Sequence, residues 1–591
     1  MNIVGISAGY HDSACSIIRD GVLVAAAEEE RFSRLKNDRA IPRQAFRYCL
    51  RQAGLSIADL DCVAYYEDPL KKLARQIWMG LAPESTAARQ QLLLRRLTEA
   101  SPEDQIRLVL GYEGPISIFD HHLSHAASSY YFSGFDDAAI LTVDGVGEWA
   151  TTTYAYGRGD TIQCIASVDF PDSLGLFYSA ITGYLGFEVN EGEYKIMGLA
   201  PYGKPVYAER LQRLIEVGPA GQYRLDMKYF GFLDEDRMYS DELIGLLQQP
   251  PRAPGSKLEQ FHCDVARSAQ LVLEEVLLRL ISYLHGEVCS ENLCMAGGVA
   301  LNVVANGRCS REGPFKRLFV QPAAGDAGAA MGAAALAFLS NTGRRPSREA
   351  LRHVFLGPRT DSTDVHRLLQ GSTAEYEDFR HREPELLDRV ATHLANGKVI
   401  GWFQGHCEFG PRALGARSIL ADPRVPDMRD RINASVKKRE SFRPFAPSVL
   451  EEECSRHFDL LHSSPFMLET CQVTSKLNLP AITHVDGSAR VHTVNSADTP
   501  RFAALLREFA RHTGCPILLN TSFNMRGEPI VASALDALVC FAASSIDILV
   551  LEDFVLDRGA VTTLWELMAQ RRYAALQDAS ERIGHLVYTF F

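Results

Sequence analysis

Ala139-Ile140-Leu141-Thr142-Val143-Asp144-Gly145-Val146-Gly147 is a short apolar run that stops at an acid and two glycines. Its length and its closing glycines predict a buried strand with a turn behind it. Ala150–Tyr156 and Ile162–Val168 follow, parted by Gly157-Arg158-Gly159-Asp160, and read as a hairpin. The N-terminus has the same grammar. Ile3–Ile6 runs into Gly9, and Ser13–Ile18 and Val22–Ala27 flank Asp20-Gly21, a strong hairpin signal. Two copies of strand, glycine-bearing turn and hairpin suggest an internal repeat, although ordinary α/β grammar would produce the same pattern.

Working outward, strands alternate with helices along the chain, which predicts an α/β fold. Val265, Ala269, Val272, Val276, Leu280 and Leu284 recur at helical spacing and form a packing stripe with no functional role. An alanine-rich helix ending near Leu339 gives way to Ser340-Asn341-Thr342-Gly343-Arg344-Arg345-Pro346-Ser347, a polar run with helix-stop and turn residues. The expected domains are therefore residues 1–345 and 346–591. The second has its own strands at Val399–Phe403, Ile517–Leu519 and Ile546–Leu551.

Composition narrows the function. At 591 residues the chain exceeds a single core, and roughly two to four domains are expected. A net charge of −12 argues against a non-specific nucleic-acid or anionic-membrane binder. The 13 cysteines are scattered without a CxxC pair, which favours free thiols in a reducing compartment. The start reads as a strand rather than a signal peptide, and no apolar run is long enough for a span. The expectation is a cytoplasmic enzyme with no membrane partner.

Asp120-His121-His122-Leu123-Ser124-His125 follows the strand candidate Ile116–Phe119. With Asp120 as N-cap, His121 and His125 fall one turn apart on one helix face, where two imidazoles can share a metal. A bare HxxxH also serves to cap or pack a helix. Asp144 tilts the balance, because an acid at the carboxyl end of a strand lies where α/β sites form. Asp326, in Gly325-Asp326-Ala327-Gly328 after the strand Leu318–Gln321, is similar. Two histidines and two aspartates suit iron, manganese or zinc. Gly297 and Gly298, after another strand, could bring backbone amides close to a nucleotide, and Gly5–Gly9 and Gly145–Gly147 could cradle phosphates the same way. Tight turns explain most such glycines equally well. A P-loop is absent.

Between Arg412 and Arg443 nine basic residues (Arg412, Arg417, Arg424, Arg429, Arg431, Lys437, Lys438, Arg439 and Arg443) face four acidic ones. In an acidic chain this is a local inversion. Gly410-Pro411-Arg412-Ala413-Leu414-Gly415 reads as a rigid loop presenting an arginine, and arginine forks suit phosphates. A solvated basic helix face is the alternative. Asn520-Thr521-Ser522-Phe523-Asn524 adds amides and hydroxyls at the end of the strand Ile517–Leu519. A polyphosphate or acyl phosphate is the expected ligand.

The stretches Glu28–Lys36, Asp120–Ala127, Thr142–Thr152, Gly192–Gly203, Ala296–Asn302, Glu408–Arg424, Met428–Leu450 and Leu519–Asn524 run in order over nearly the whole chain. In them the sequence resembles the O-carbamoyltransferases of natural-product biosynthesis, the NodU/CmcH group. The resemblance implies an N-terminal Kae1-like domain of the actin/sugar-kinase superfamily, with two related halves, and a C-terminal YrdC-like α/β domain. It implies His121, His125, Asp144 and Asp326 as ligands of a transition metal, Fe2+ by the family's pattern. Gly145 and Gly147 join Gly297, Gly298 and Asn302 as implied nucleotide contacts of the same domain. His11 and Lys36 match the acceptor and transfer site. Arg412, Lys437, Lys438, Arg443, Arg490, Asn520 and Ser522 match residues that hold carbamoyl phosphate and ATP with Mg2+, and Arg417 lies in the same loop. The implied reaction forms carbamoyl-adenylate and carries the carbamoyl group to a small-molecule hydroxyl. The rivals are a sugar-kinase-like phosphotransferase and a tRNA-modification subunit. A homodimer is left open.

Overall fold

The computed structural model describes residues 1–81, 87–233, 237–372 and 374–584. Met1–Glu29 and Asn37–Leu351 belong to a first unit, Glu30–Lys36 and Arg352–Arg582 to a second. The change of unit thus falls after Leu351 rather than after residue 345. The polar run is anchored to the first unit: Arg345 is buried and donates to the Phe135 carbonyl at 2.9 Å, and the Leu351 amide bonds the Phe132 carbonyl at 2.8 Å.

In the first unit, β1 (Asn2–Ser7), β2 (Ala14–Arg19) and β3 (Val22–Glu28) form an antiparallel meander. Asp20 and Gly21 join β2 to β3 at φ of 53° and 87°, the doubly left-handed turn that Asp-Gly favours. β4 (Cys62–Tyr65) lies parallel to β1, and β5 (Ile116–Ile118) parallel to β4, giving the order β3-β2-β1-β4-β5. The second sheet repeats this. β6 (Asp137–Val143), β7 (Ala150–Arg158) and β8 (Thr161–Asp169) are the meander; β9 (Asn292–Ala296) and β10 (Arg317–Val320) are the parallel additions, in the order β10-β9-β6-β7-β8. The repeat hinted at in the sequence is a repeat of topology.

Four helices matter for the site: α1 (His121–Tyr130), α2 (Gln260–Glu287), α3 (Val303–Glu312) and α4 (Asp326–Thr342). Helix α4 is mostly alanine and glycine on its buried side, and two glycine contacts show why. A Cβ on Gly332 would stand 1.8 Å from the Ser124 carbonyl of α1, and one on Gly5 would stand 1.9 Å from the Ala330 carbonyl. Only bare backbone permits α4 to lie this close to α1 and β1. Gly5 is therefore a packing residue.

The second unit is built on one mixed sheet. Its strands are β11 (Glu377–Asp378), β12 (Ile400–Phe403), β13 (Arg417–Ala421), β14 (Ala446–Leu450), β15 (His492–Val494), β16 (Ile517–Ser522), β17 (Ile548–Leu551) and β18 (Phe554–Asp557). They run in the order β11-β18-β17-β12-β13-β16-β14-β15. Helices α5 (Glu383–Ala395), α6 (Pro500–Thr513) and α7 (Ala534–Ala543) bury their apolar faces in its core, which includes the fully buried Trp402. All 13 cysteines are free thiols. Among the described residues no helix is long and apolar enough to cross a membrane.

Candidate metal centre and candidate anion site

Asp120 occupies the N-cap of α1, as expected, but its carboxylate makes no cap bond and pairs with Lys71 instead. Helix α1 then presents His121 and His125 on one face. The Nε2 atoms lie 3.0 Å apart, and Oδ2 of Asp144, just past the end of β6, is 3.2 Å from His121 Nε2 and 3.0 Å from His125 Nε2. Oδ1 of Asp326, first residue of α4, is 3.7 Å from both nitrogens. Separations of about 3.0–3.5 Å are what ligands at about 2.1 Å from one ion show. The four donors fit a mixed nitrogen and oxygen metal site.

The surroundings hold these donors in place. The Tyr66 hydroxyl donates to Asp326 Oδ2 at 3.2 Å, turning the other oxygen toward the histidines. Glu148 Oε1 accepts from the His121 amide at 2.9 Å, and Glu67 Oε1 lies 3.9 Å from His121 Nδ1. Burial opposes charge on His121, yet the hydrogen bond to Asp144 and the charges of Asp326, Asp144 and Glu67 push it up to about 9. Burial would raise Asp144, but the hydrogen bonds of His121 and His125 hold it well below the carboxylate range. A site that gathers this much opposed charge out of water is shaped for a cation.

The glycine turns serve this carboxylate. The amides of Gly145 and Gly298 donate to Asp144 Oδ1 at 2.7 and 3.2 Å. Gly297 has φ of 91°, and a Cβ there would stand 2.3 Å from the Val143 carbonyl. Gly147 packs on the His121 and His122 rings. Asn302 is also engaged: it caps α3 through Oδ1 on the Ala305 amide at 3.0 Å and exchanges amide hydrogen bonds with Gln270 of α2. His11 lies past β1 with Nδ1 2.9 Å from Asp12 Oδ2. Burial disfavours its charge, but Asp12, Asp326 and Asp144 push it up to about 10. His11 is thus within electrostatic reach of the cluster. Lys36 ends the segment Glu30–Lys36 that packs with the second unit.

In the second unit, the loop before β13 is held by Glu408, whose Oε1 accepts from the amides of Leu414, Ala416 and Arg417 at 2.7, 2.9 and 3.2 Å. Arg412 rides on this loop. Burial and the charge of Arg443 lower it to about 10; burial and the charges of Arg412, Arg439 and Arg443 hold Arg490 well below its ordinary value. The buried Nε atoms of Arg412 and Arg490 have no hydrogen-bond partner among the described residues. Mutually repelling, partly dehydrated guanidinium groups are what an anion stabilises.

Lys437 follows a widened turn at Ile432–Val436. Its Nζ donates to the Ser522 carbonyl and hydroxyl at 2.5 and 3.1 Å and to the Asn524 carbonyl and amide oxygen at 3.0 and 2.7 Å. Burial and the charge of Arg439 hold this lysine well below its usual range. Asn520 donates to the Ala413 carbonyl and to Ser448 Oγ at 3.2 and 2.9 Å, tying β16 to the arginine loop. Lys438 sits in left-handed backbone at φ of 47°. Arg417 has a different place. Its guanidinium stacks 3.6 Å from the Phe403 ring centroid and gives its terminal nitrogens to the carbonyls of Gln404, Ala416, Pro358 and Gly405. It is a scaffold for the loop. Glu408, which organises the arginine loop, has no signal in the sequence beyond lying in a matched stretch, while Asn524 is legible as an amide at a strand end but not as the anchor of Lys437. Tyr66 and Glu67 have no signal in the sequence.

Residues 2–335 match the family described as carbamoyltransferase N-terminus, and residues 391–558 match carbamoyltransferase C-terminus. The nodulation protein NolNO of Sinorhizobium fredii is 40% identical over 578 residues, 95% of this chain and 81% of the relative. NolO of Bradyrhizobium diazoefficiens is 41% identical over 474 residues, 79% of this chain and 84% of the relative. Among solved structures, ROK hexokinase from Thermus thermophilus matches with a TM-score of 0.28 and 14% identity, covering 58% of this chain and 100% of that one. With both halves of the family pattern present in order, and both candidate sites within the matched regions, the chain belongs to the carbamoyltransferase family.

Proposed function

We propose that the chain is an ATP-dependent O-carbamoyltransferase whose second unit activates the carbamoyl group and whose first unit delivers it to a small-molecule hydroxyl. The observation that carries this reading is the pair of buried, unpartnered Nε atoms on Arg412 and Arg490, whose guanidinium groups suit the phosphates of ATP and carbamoyl phosphate. Water displaces phosphate from carbamoyl phosphate to give carbamate. A carbamate oxygen then attacks the α-phosphorus of ATP, and pyrophosphate leaves with Mg2+. Arg412, Arg443 and Arg490 neutralise charge building on the departing groups, the largest source of acceleration in such steps. Lys437, anchored on Ser522 and Asn524, keeps that strand end aligned.

In the first unit His121, His125, Asp144 and Asp326 would hold the transition metal, Fe2+ in our reading. When bound it supplies Lewis acidity toward a carbonyl or phosphate oxygen. His11 accepts the proton of the attacking hydroxyl. It starts from a raised affinity for protons, set by Asp12, Asp326 and Asp144. Neutralising Asp144 and Asp326 brings it toward the range where a base works near neutral pH. The amides of Gly145 and Gly298 keep Asp144 oriented.

The test omits the acceptor. Protein incubated with ATP and Mg2+ should release AMP and pyrophosphate only when carbamoyl phosphate is added. ADP as product, or indifference to carbamoyl phosphate, would remove the adenylate and put a phosphotransferase in its place.

A further inference from the structure

The segment Glu30–Lys36 interrupts the first unit in sequence yet packs with the second. Two arginines fasten it there. Arg31 is 3% exposed and donates through Nη2 to the carbonyl of Gly410 at 2.9 Å. Arg34 is 8% exposed and donates to the carbonyls of Ile530 at 2.6 Å and Pro529 at 2.8 Å, with Nε 3.6 Å from Asp536. Arg34 holds this place at φ of 61°, a left-handed conformation that a residue with a Cβ adopts only under constraint.

Each guanidinium ends on a loop of the candidate anion site. Gly410 precedes Pro411 and Arg412, and its own φ of 107° leaves the peptide orientation to its contacts. Pro529 and Ile530 close the turn whose other arm carries Ser522 and Asn524. The Asn524 amide donates to the Glu528 carbonyl at 2.6 Å, and the Val531 amide bonds the Phe523 carbonyl at 3.0 Å. Asn524 in turn receives Lys437. Both cation-bearing loops are therefore fastened from the same short segment.

We propose that Arg31 and Arg34 are positioning residues of the second unit's anion site, setting the geometry of Arg412 and of the Lys437–Ser522–Asn524 group without touching the anion. The proposal rests on the reading that this site takes phosphates. A buried charge-assisted hydrogen bond to a carbonyl is directional, so its loss releases a loop peptide and not merely stability.

The experiment uses the full chain and measures pyrophosphate affinity by calorimetry, alongside AMP formation and Tm. R31A and R34A are expected to weaken pyrophosphate binding about tenfold each, with R31K and R34K between them and wild type. Millimolar guanidine is expected to restore part of the loss in the alanine variants. The KM for carbamoyl phosphate should rise more than kcat falls. Wild-type affinity in both alanine variants, even with a lowered Tm, overturns the proposal. If the alanine variants do not fold, wild-type affinity in both lysine variants overturns it equally. Pyrophosphate binding by wild type without carbamoyl-phosphate-dependent AMP overturns the adenylation reading and leaves the positioning role standing. No pyrophosphate binding by wild type sinks both.

Discussion

His121 and His125 point their Nε2 atoms at one another across 3.0 Å, and Asp144 Oδ2 is within 3.2 Å of both. Two imidazole nitrogens facing each other cannot both donate, and the shared carboxylate oxygen satisfies them only in part. This is an arrangement that a cation completes.

Replacing His125 with Ala should therefore lower transition-metal affinity by more than about tenfold while AMP formation in the second unit persists. Metal content after dialysis against Fe2+, Mn2+ or Zn2+, read by mass spectrometry, checks the first half. Unchanged metal content would place the ion elsewhere.

His11→Asn should leave carbamoyl-phosphate-dependent AMP formation intact and stop transfer to an acceptor hydroxyl. Undiminished transfer would remove His11 from the proton path.

Arg412→Ala should slow AMP formation about 100-fold, the usual cost of losing one donor to developing charge. Arg412→Lys should recover little, because an ammonium lacks the two-pronged fork. Arg417→Ala, by contrast, should show itself chiefly as a fall in Tm, since its donors end on four carbonyls.

Gly297→Ala forces a Cβ to 2.3 Å from the Val143 carbonyl at φ of 91°. The left-handed backbone alone costs roughly 1–3 kcal/mol, and the clash adds to it. Because Val143 precedes Asp144, Tm and metal affinity should fall together. A drop in Tm with intact metal binding would separate the glycine from the site.

His492 is 3% exposed, bonded to Ser448 Oγ at 2.8 Å, and pushed down to about 3 by burial. The folded protein keeps it neutral while the unfolded chain protonates it near pH 6.5. Its contribution is fully present above pH 6.5 and is lost as pH falls from there toward 3, at up to about 1.4 kcal/mol per unit. His492→Gln should flatten the acid limb of a denaturant-derived stability profile. An unchanged slope would mean another group dominates.

Much of this was legible in the chain because it is encoded locally. Strand length, Asp-Gly turn chemistry and helical spacing act over a few residues, so the β2–β3 hairpin, the helix from Gln260 to Glu287 and the shared face of His121 and His125 followed from neighbours alone. Asp144 and Asp326 stand out by their places after strands, for the same reason.

The tertiary structure decided what each polar group is spent on, because that depends on which distant carbonyl or carboxylate the fold brings within 3 Å. Arg412 and Arg417 look alike in sequence, and both keep a buried Nε without a partner among the described residues, yet only Arg417 spends its terminal nitrogens on four carbonyls. Asn302, a nucleotide contact by the family resemblance, caps a helix and is held by Gln270. The glycines near Asp144 read as phosphate loops, and the fold directs the amides of Gly145 and Gly298 to the Asp144 carboxylate. No local pattern announces that Glu30–Lys36 packs with the second unit, since a hydrogen bond from Arg34 to Ile530 spans nearly five hundred residues that only the folded chain closes.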